Sequence, residues 1–495
     1  MTRSISAAAF STVSSPCACV TSAVMRAKWP KSPSPRVWCV ARPAACVEVA
    51  GEPTTWITGT CSAYAQGLLT VENAAAEIDR VIQETLTERR PGYLLIPADV
   101  GKEPLRAPGA PLALDAEASD PASLAALRGA VEAAMTDASS VSLLAGILVH
   151  RMGAEPALHD LLALGVPHAV SLWGRRVVDE SSAHYVGPYL GAVSSPEALA
   201  AIEDVDVLIT VGVQFTDLMS GFFSQHLPDT TIEIGPRSVR IGDDVFGSVA
   251  MAEALAVVAE VLEGSGLVGD VGDAASAPAR GAEADVTEAD VAAADAPLDQ
   301  TALWDAVAAR LRDGDVVIAD QGTAFYGMGT HRMPHGVTFI GQPLWASIGY
   351  TLPALLGAAL ADRSRRPIVL IGDGAAQLTI AELGTLIRDR VPAIVVIVNN
   401  LGYTVERAIH GLTAEYNDIA PWNWTAVVKA FDPTGFTRSV AARTAAEVTG
   451  AFEQHDRLGG QRLVFIEAVV PPLDVPPLLS ALAEQASRAN ARLDD

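Results

Sequence analysis

The sequence predicts an α/β protein built of doubly wound, parallel-sheet domains. Continuous apolar runs such as "VSLLAGILV" (141–149) and "AIVVIVNN" (393–400) read as strands buried on both faces. Segments of helical periodicity alternate with them, and two such strands end in glycine- or asparagine-bearing turns. Half of the 495 residues are apolar, enough for two or three domains with cores of their own.

Taken in order, residues 1–65 fit none of this. Residues 1–60 carry six basic residues against two acidic ones, show neither period, and share all five cysteines with Cys61. A targeting peptide, suggested by an acid-free, Ser- and Ala-rich first 47 residues, and a disordered tail are two readings. A third, favoured one is a segment that is not native-like, such as a misread frame. Cys17 and Cys19 are one residue apart and no histidine precedes His150, so no metal site is expected there.

From Leu68 the chain becomes periodic. "TVENAAAEIDRVIQETLTERRP" (70–91) predicts a helix with Ala74, Ile78, Val81, Ile82 and Leu86 on one side, and "GYLLIPADV" (92–100) a strand. This 66–110 stretch is one αβ unit in need of a sheet. Residues 108–121 read as a connector. A middle α/β domain is expected over 122–265, with strands at 141–149, 206–212 and 230–235 and no GxGxxG to suggest a dinucleotide site. Residues 266–297 read as a flexible Ala/Gly/Asp/Glu linker. The last α/β domain spans 298–495 and ends in a helix with Leu478, Leu479, Leu482 and Ala486 on one face.

The charge balance is 34 Lys+Arg against 58 Asp+Glu, net −24, which argues against nucleic acid and anionic membrane as partners. No apolar run is long enough for a transmembrane helix, and a cytoplasmic location is expected.

The chemistry concentrates in "RPIVLIGDGAAQLTIAELGTLIRDRVPAIVVIVNNLGYTVERAIHG" (366–411). "PIVLIGDG" reads as a strand ending on Gly372-Asp373-Gly374. Thr379 and Glu382 have capping-box spacing ahead of a helix bearing Ile380, Leu383, Leu386 and Ile387. "AIVVIVNN" is the next strand. A right-handed βαβ unit places both carboxyl ends on one sheet edge, so Asp373 and Asn400 meet there. A carboxylate, an amide oxygen and a free carbonyl suit Mg²⁺ or Ca²⁺ rather than zinc, and phosphate oxygens are expected to complete the shell. Gly372 and Gly374 let backbone approach a phosphate.

GDG followed by NN resembles the thiamine-diphosphate motif, and "NNLGYTVE" resembles that of the 2-oxo acid decarboxylases for indolepyruvate, phenylpyruvate or pyruvate. The resemblance covers most of 66–495: "ENAAAEIDRV" and "YLLIPADV" resemble the end of the family's pyrimidine-binding domain, "VDESSAHYVGPYLGAVSS" and "VGVQFTDLMSGFF" its middle domain, and "ADQGTAFYGM" and "FIGQPLWASIGYTLPALLGAAL" its cofactor domain. It implies thiamine-diphosphate-binding α/β domains with an incomplete first one. It also implies Mg²⁺ held by Asp373, Asn400 and the Gly402 carbonyl. Gly374, Ala375 and Thr404 would touch the diphosphate, with Thr323 and Tyr403 in the same cofactor site. Met328 would prop the cofactor bent, the Gly327 carbonyl would hold its amino group, and Glu406 would handle protons at the substrate if burial raises its pKa. The cofactor serves as electron sink for non-oxidative loss of CO₂ from a 2-oxo acid. Phe325, Tyr326 and Leu478 are candidate pocket residues. A homodimer or homotetramer is implied where the first domain is intact.

The chain departs from the family pattern early on. An activating glutamate and a His-His pair are expected in the first domain, and neither is recognisable. Leu401 stands where an acid is common. Read one base earlier, codons for Thr54-Thr55-Trp56-Ile57 can spell His-His-Leu-Asp, which fits a shifted frame. Two alternatives follow: a cofactor-binding homologue without turnover, and an acetolactate synthase-like carboligase, which Glu406 and the lack of a flavin site disfavour.

Overall fold

The computed structural model describes residues 65–105, 112, 118–268 and 295–491. The anomalous 1–65 segment, Ala65 excepted, and most of the 266–297 linker lie outside them. The chain forms two compact units, 1–117 and 118–495.

In the first unit, β1 (Ala65–Leu68) and β2 (Gly92–Leu95) pair in parallel, joined by the Ala74–Glu88 helix. Leu69, Ala74 and Val100 form a small core with Ile78 and Leu94 against it. Of the five residues read as one apolar side, Ala74 and Val81 are buried, but Ile82 and Leu86 stay 38% and 39% exposed. Among the described residues of this unit two strands cover only part of that face, and two strands are too few for independent stability.

In the second unit, one sheet runs β5-β4-β3-β6-β7-β8-β9. Its strands are β3 (Val141–Ala145), β4 (His168–Ser171), β5 (Tyr185–Tyr189), β6 (Val207–Val211), β7 (Thr231–Ile234), β8 (Ser238–Ile241) and β9 (Asp244–Gly247). The first five are parallel, and β8 and β9 add an antiparallel edge. Helices Pro121–Met135 and Met251–Ser265 bury Leu127, Val131, Leu255, Val258 and Leu262 against it. Asp120 caps the first, accepting from the Ser123 N–H at 2.9 Å, with Pro121 at the first position.

The strand expected over 141–149 is shorter than predicted. It stops at Ala145, and Leu148–Met152 is helical. The break falls at Gly146, where a Cβ would lie 2.3 Å from the Gly212 carbonyl oxygen. Apolarity alone does not separate a buried strand from a buried helical turn.

The second sheet of this unit runs β11-β10-β12-β13-β15-β14, all parallel. Its strands are β10 (Val316–Ala319), β11 (Thr338–Ile340), β12 (Pro367–Gly372), β13 (Ala393–Asn399), β14 (Thr437–Ala442) and β15 (Leu463–Val469). Ile368–Ile371 and Ala393–Val398 are fully buried because helices cover both faces. Trp304, Phe325, Met328 and Leu479 pack one face, and Leu355, Leu386 and Trp424 the other. The chain leaves β10 for β11 on one side and then returns to β12 on the other. That reversal opens a crevice at the carboxyl ends of β10 and β12. The C-terminal helix, Pro477–Ala491, buries Leu478, Leu479, Leu482 and Ala486 as its spacing predicts. No helix among the described residues is long and apolar enough to cross a membrane.

Candidate active site

Three neighbouring strands deliver polar groups to that crevice: Asp320 follows β10, Asp373 follows β12, and Asn399-Asn400 ends β13. The register pairs Gly372 with Val398, so Asp373 faces the 400–402 loop. A cavity here is lined by Thr323, Gly374, Ala375, Asn400, Gly402 and Thr404, with Asp320 and Tyr403 also on its wall.

Asp373 is 1% exposed. Burial raises its carboxyl to about 6, against the pull of the Gly374, Leu401, Gly402 and Asn400 N–H groups. One carboxylate oxygen accepts from the Gly374 N–H at 2.7 Å. The other, Oδ2, is buried without a partner, and so is Asn400 Oδ1. Two orphaned buried oxygens cost free energy unless something completes them. The donor set is all oxygen, the chemistry that fits a hard cation such as Mg²⁺, and Gly402 lines the same cavity.

The two amides of "NN" divide their work. Asn399 donates to Glu467 Oε1 at 2.7 Å, while Asn400 faces the crevice. Gly402 has φ +139°, and a Cβ there would lie 2.2 Å from the Asn417 carbonyl oxygen. Glycine is required on both counts. Leu401 sits at φ +57° and is 46% exposed, a left-handed position that suits Asn, Asp or Gly better.

Several expectations need correction. The strand read as ending on Gly372-Asp373-Gly374 stops at Gly372, and Asp373 and Gly374 open the Asp373–Thr379 helix directly. The capping box is absent. Thr379 closes that helix, Ile380 precedes the next (Ala381–Arg388), and the Thr379 hydroxyl donates to the Gly349 carbonyl at 2.7 Å. A tertiary acceptor outcompetes the local one. At Gly374 the space a Cβ would take is filled by the Tyr403 ring, 2.7 Å away, so this glycine makes room for Tyr403. The Thr404 hydroxyl is spent on the Pro472 carbonyl at 2.7 Å, leaving its backbone and methyl for the cavity. The Gly327 carbonyl already accepts from His331 Nδ1 at 3.0 Å, and Gly327 is glycine because Trp304 fills its Cβ position. Met328 is fully buried in the core. Phe325 and Tyr326 are core residues too, stacked edge-on at 5.5 Å. Leu478 packs against Gly329.

Glu406 lies on the Thr404–His410 helix with its side chain 39% exposed and 3.4 Å from His410 Nε2. The burial its role was expected to require is not supplied by this chain's described residues.

Sequence reasoning missed three residues. Asp320, 1% exposed, is raised to about 6 by burial and accepts from Thr351 Oγ1 at 2.8 Å and the Gly349 N–H at 3.0 Å. Arg407 is 5% exposed and holds the 400–402 loop from behind. It donates to the carbonyls of Leu401 at 2.8 Å and Asn400 at 3.3 Å, and pairs with Asp418 at 2.8 Å. Arg175, buried with Glu180, donates to the Met328 carbonyl at 2.8 Å and ties the domain of the seven-stranded sheet to the Thr323–Gly329 helix that carries Met328. An Arg beside a Glu in "VERAIH" reads locally as a surface pair, so only its tertiary partners reveal Arg407.

This sheet, its switch-point crevice and its buried oxygen donors define the ligand site of a doubly wound α/β domain. Residues 323–468 match the family described as thiamine pyrophosphate enzyme, C-terminal TPP binding domain, and 129–263 match its central domain. An alpha-keto-acid decarboxylase of Mycobacterium leprae (strain TN) is 45% identical over 433 residues, 87% of this chain and 74% of the relative. One of Mycobacterium ulcerans (strain Agy99) is 46% identical over 431 residues, 86% and 73% of the two chains. The chain belongs to the thiamine-diphosphate-dependent 2-oxo acid decarboxylase family, a family of carboxy-lyases.

Proposed function

We propose that this chain decarboxylates an aromatic or branched 2-oxo acid, such as indolepyruvate or phenylpyruvate, to the aldehyde and CO₂, with Mg²⁺ as the metal. The observation that carries the metal assignment is the pair of orphaned buried oxygens, Asp373 Oδ2 and Asn400 Oδ1, at the switch point. Thiamine diphosphate, when bound, supplies the electron sink for loss of CO₂. Asp373, Asn400 and the Gly402 carbonyl would hold the metal, which would supply positive charge for the diphosphate. Ala375, Thr323 and the Gly374 backbone border the diphosphate, and Tyr403 closes over Gly374. Met328 would back the cofactor from the core, its backbone carbonyl held by Arg175. Glu406 orients the substrate carboxylate and moves a proton to the product carbon. Its side chain becomes shielded from water when a second copy of the chain covers the crevice, as in a homodimer or homotetramer.

The test is a coupled aldehyde assay on the whole chain with thiamine diphosphate, MgCl₂ and each of indolepyruvate, phenylpyruvate and pyruvate. Aldehyde formation that Asp373→Ala abolishes is the expected result. A second reading, cofactor binding without turnover, is favoured by the 39% exposure of Glu406. Saturable cofactor binding with no aldehyde from any of the three acids would establish it, and acetolactate from pyruvate would point to a carboligase instead.

A further inference from the structure

The opposite edge of the same sheet carries a cleft that the decarboxylase reading does not use. It lies at the amino ends of β12, β13 and β15, is about 570 Å³ in volume, and is bordered by Pro367, Pro392 and Gln461. In a chain of net charge −24, five arginines line it, with Asp456 as the acidic residue on its wall.

The charges there are not balanced. Arg312 and Arg366 share Asp456, and Arg366 also pairs with Asp315 at 2.6 Å. Arg365 spends its donors on neutral oxygens: the carbonyls of Gly314, Asp315 and Gly336 and the Thr338 hydroxyl. Its charge has no carboxylate partner at hydrogen-bond distance. Arg363 and Arg390 are exposed and make no ion pair among the described residues. The flanking acids are engaged elsewhere, Asp389 with Arg388 and Asp362 with the Ser364 N–H and hydroxyl.

At the base of the cleft two donor groups lack partners. His455 is 3% exposed, and neither ring nitrogen makes a hydrogen bond, Asp456 Oδ1 standing 3.8 Å from Nδ1. Arg366 Nη1 is likewise buried without a hydrogen bond, its contact with Asp456 Oδ1 being 3.7 Å long. A buried imidazole and a guanidinium N–H left open on one wall call for an acceptor. Burial, with the field of Arg366 next, lowers the His455 pKa, so a bound anion would also relieve an unfavourable site for the protonated ring.

We propose that this cleft binds a small phosphorylated metabolite, with its dianionic phosphate against His455 and Arg366 and its remaining charge met by Arg363, Arg365 and Arg390. Guanidinium forks match phosphate oxygens bidentately, which favours phosphate over a single carboxylate. The concave shape with a buried base favours a small molecule over an extended polyanion. The site is separate from the cofactor crevice, which lies at the carboxyl ends of the same strands.

The test is calorimetric titration of the whole chain, saturated with thiamine diphosphate and MgCl₂, with ADP, inorganic phosphate and adenosine. Saturable binding of ADP, none of adenosine, and at least a tenfold loss in the surface double variant Arg363→Ser/Arg390→Ser are expected. Inorganic phosphate binding as tightly as ADP would identify the free ion as the ligand, and tighter ADP binding a phosphate ester. His455→Gln in a folded chain should weaken both. Absence of saturable binding, or ADP binding unchanged in the arginine variant, would overturn the proposal. None of these readouts depends on decarboxylase activity.

Discussion

Replacing Arg407 by methionine tests how the metal loop is held. Methionine keeps much of the length and the apolar stem but removes every donor. The guanidinium makes one well-formed bond to the loop, to the Leu401 carbonyl at 2.8 Å, and longer ones to Asn400 and Pro472 at 3.3 Å and Asn417 at 3.4 Å. Its pair with Asp418 counts for little because that carboxylate is 71% exposed. At about 1.5–3 kcal/mol for a good bond from a charged donor, and less for the long ones, the loop loses about 2–4 kcal/mol of support. Leu401 and Gly402 both sit at positive φ, so an unsupported loop relaxes, and binding must then restore its shape. At about 1.4 kcal/mol per decade, the cost is about 30- to 700-fold in affinity for thiamine diphosphate at fixed MgCl₂. Tryptophan fluorescence titration reads the affinity, and far-UV circular dichroism checks the fold. Arg407→Lys, which keeps the charge but not the fork, should fall between. A folded Arg407→Met variant with unchanged affinity would refute the reasoning.

Three further outcomes are expected. Asp373→Asn should abolish the Mg²⁺ dependence of cofactor binding, and calorimetry showing wild-type Mg²⁺ affinity in this variant would contradict the ligand assignment. Asp320 has a folded pKa of about 6 against an ordinary 3.8, so the stability its protonated form contributes is present below about pH 4 and is lost as pH rises to about 6. That loss is about 3 kcal/mol at most. Asp320→Asn should flatten the melting-temperature profile of the cofactor-free chain across that window, and parallel profiles would sink the idea. Leu401→Asn should stabilise the chain by about 1 kcal/mol by easing the left-handed backbone, a gain that a lowered melting temperature would rule out.

Local periodicity and strand ends are readable along a single segment of chain. Runs such as Ile394–Val398, β-branched throughout, read as strands buried on both sides, and parallel strands of one βαβ unit end on the same edge. Asp373 and Asn400 were therefore legible as neighbours from their order alone. The C-terminal helix was legible too, because Leu478, Leu482 and Ala486 lie one helical turn apart.

Only the tertiary structure decided which partner each polar group takes. Thr379 has the spacing of a cap but donates to Gly349, thirty residues away in sequence. Asn399 and Asn400 are identical in kind, yet strand β15 presents Glu467 to one and the crevice faces the other. Arg407 looks like a surface residue until Leu401, Asn417 and Pro472 close around it. The five arginines of the opposite cleft are scattered from 312 to 390 and converge only because three strands begin side by side. Periodicity is a property of one segment, whereas a hydrogen-bond partner or a shared cleft depends on where distant segments come to rest.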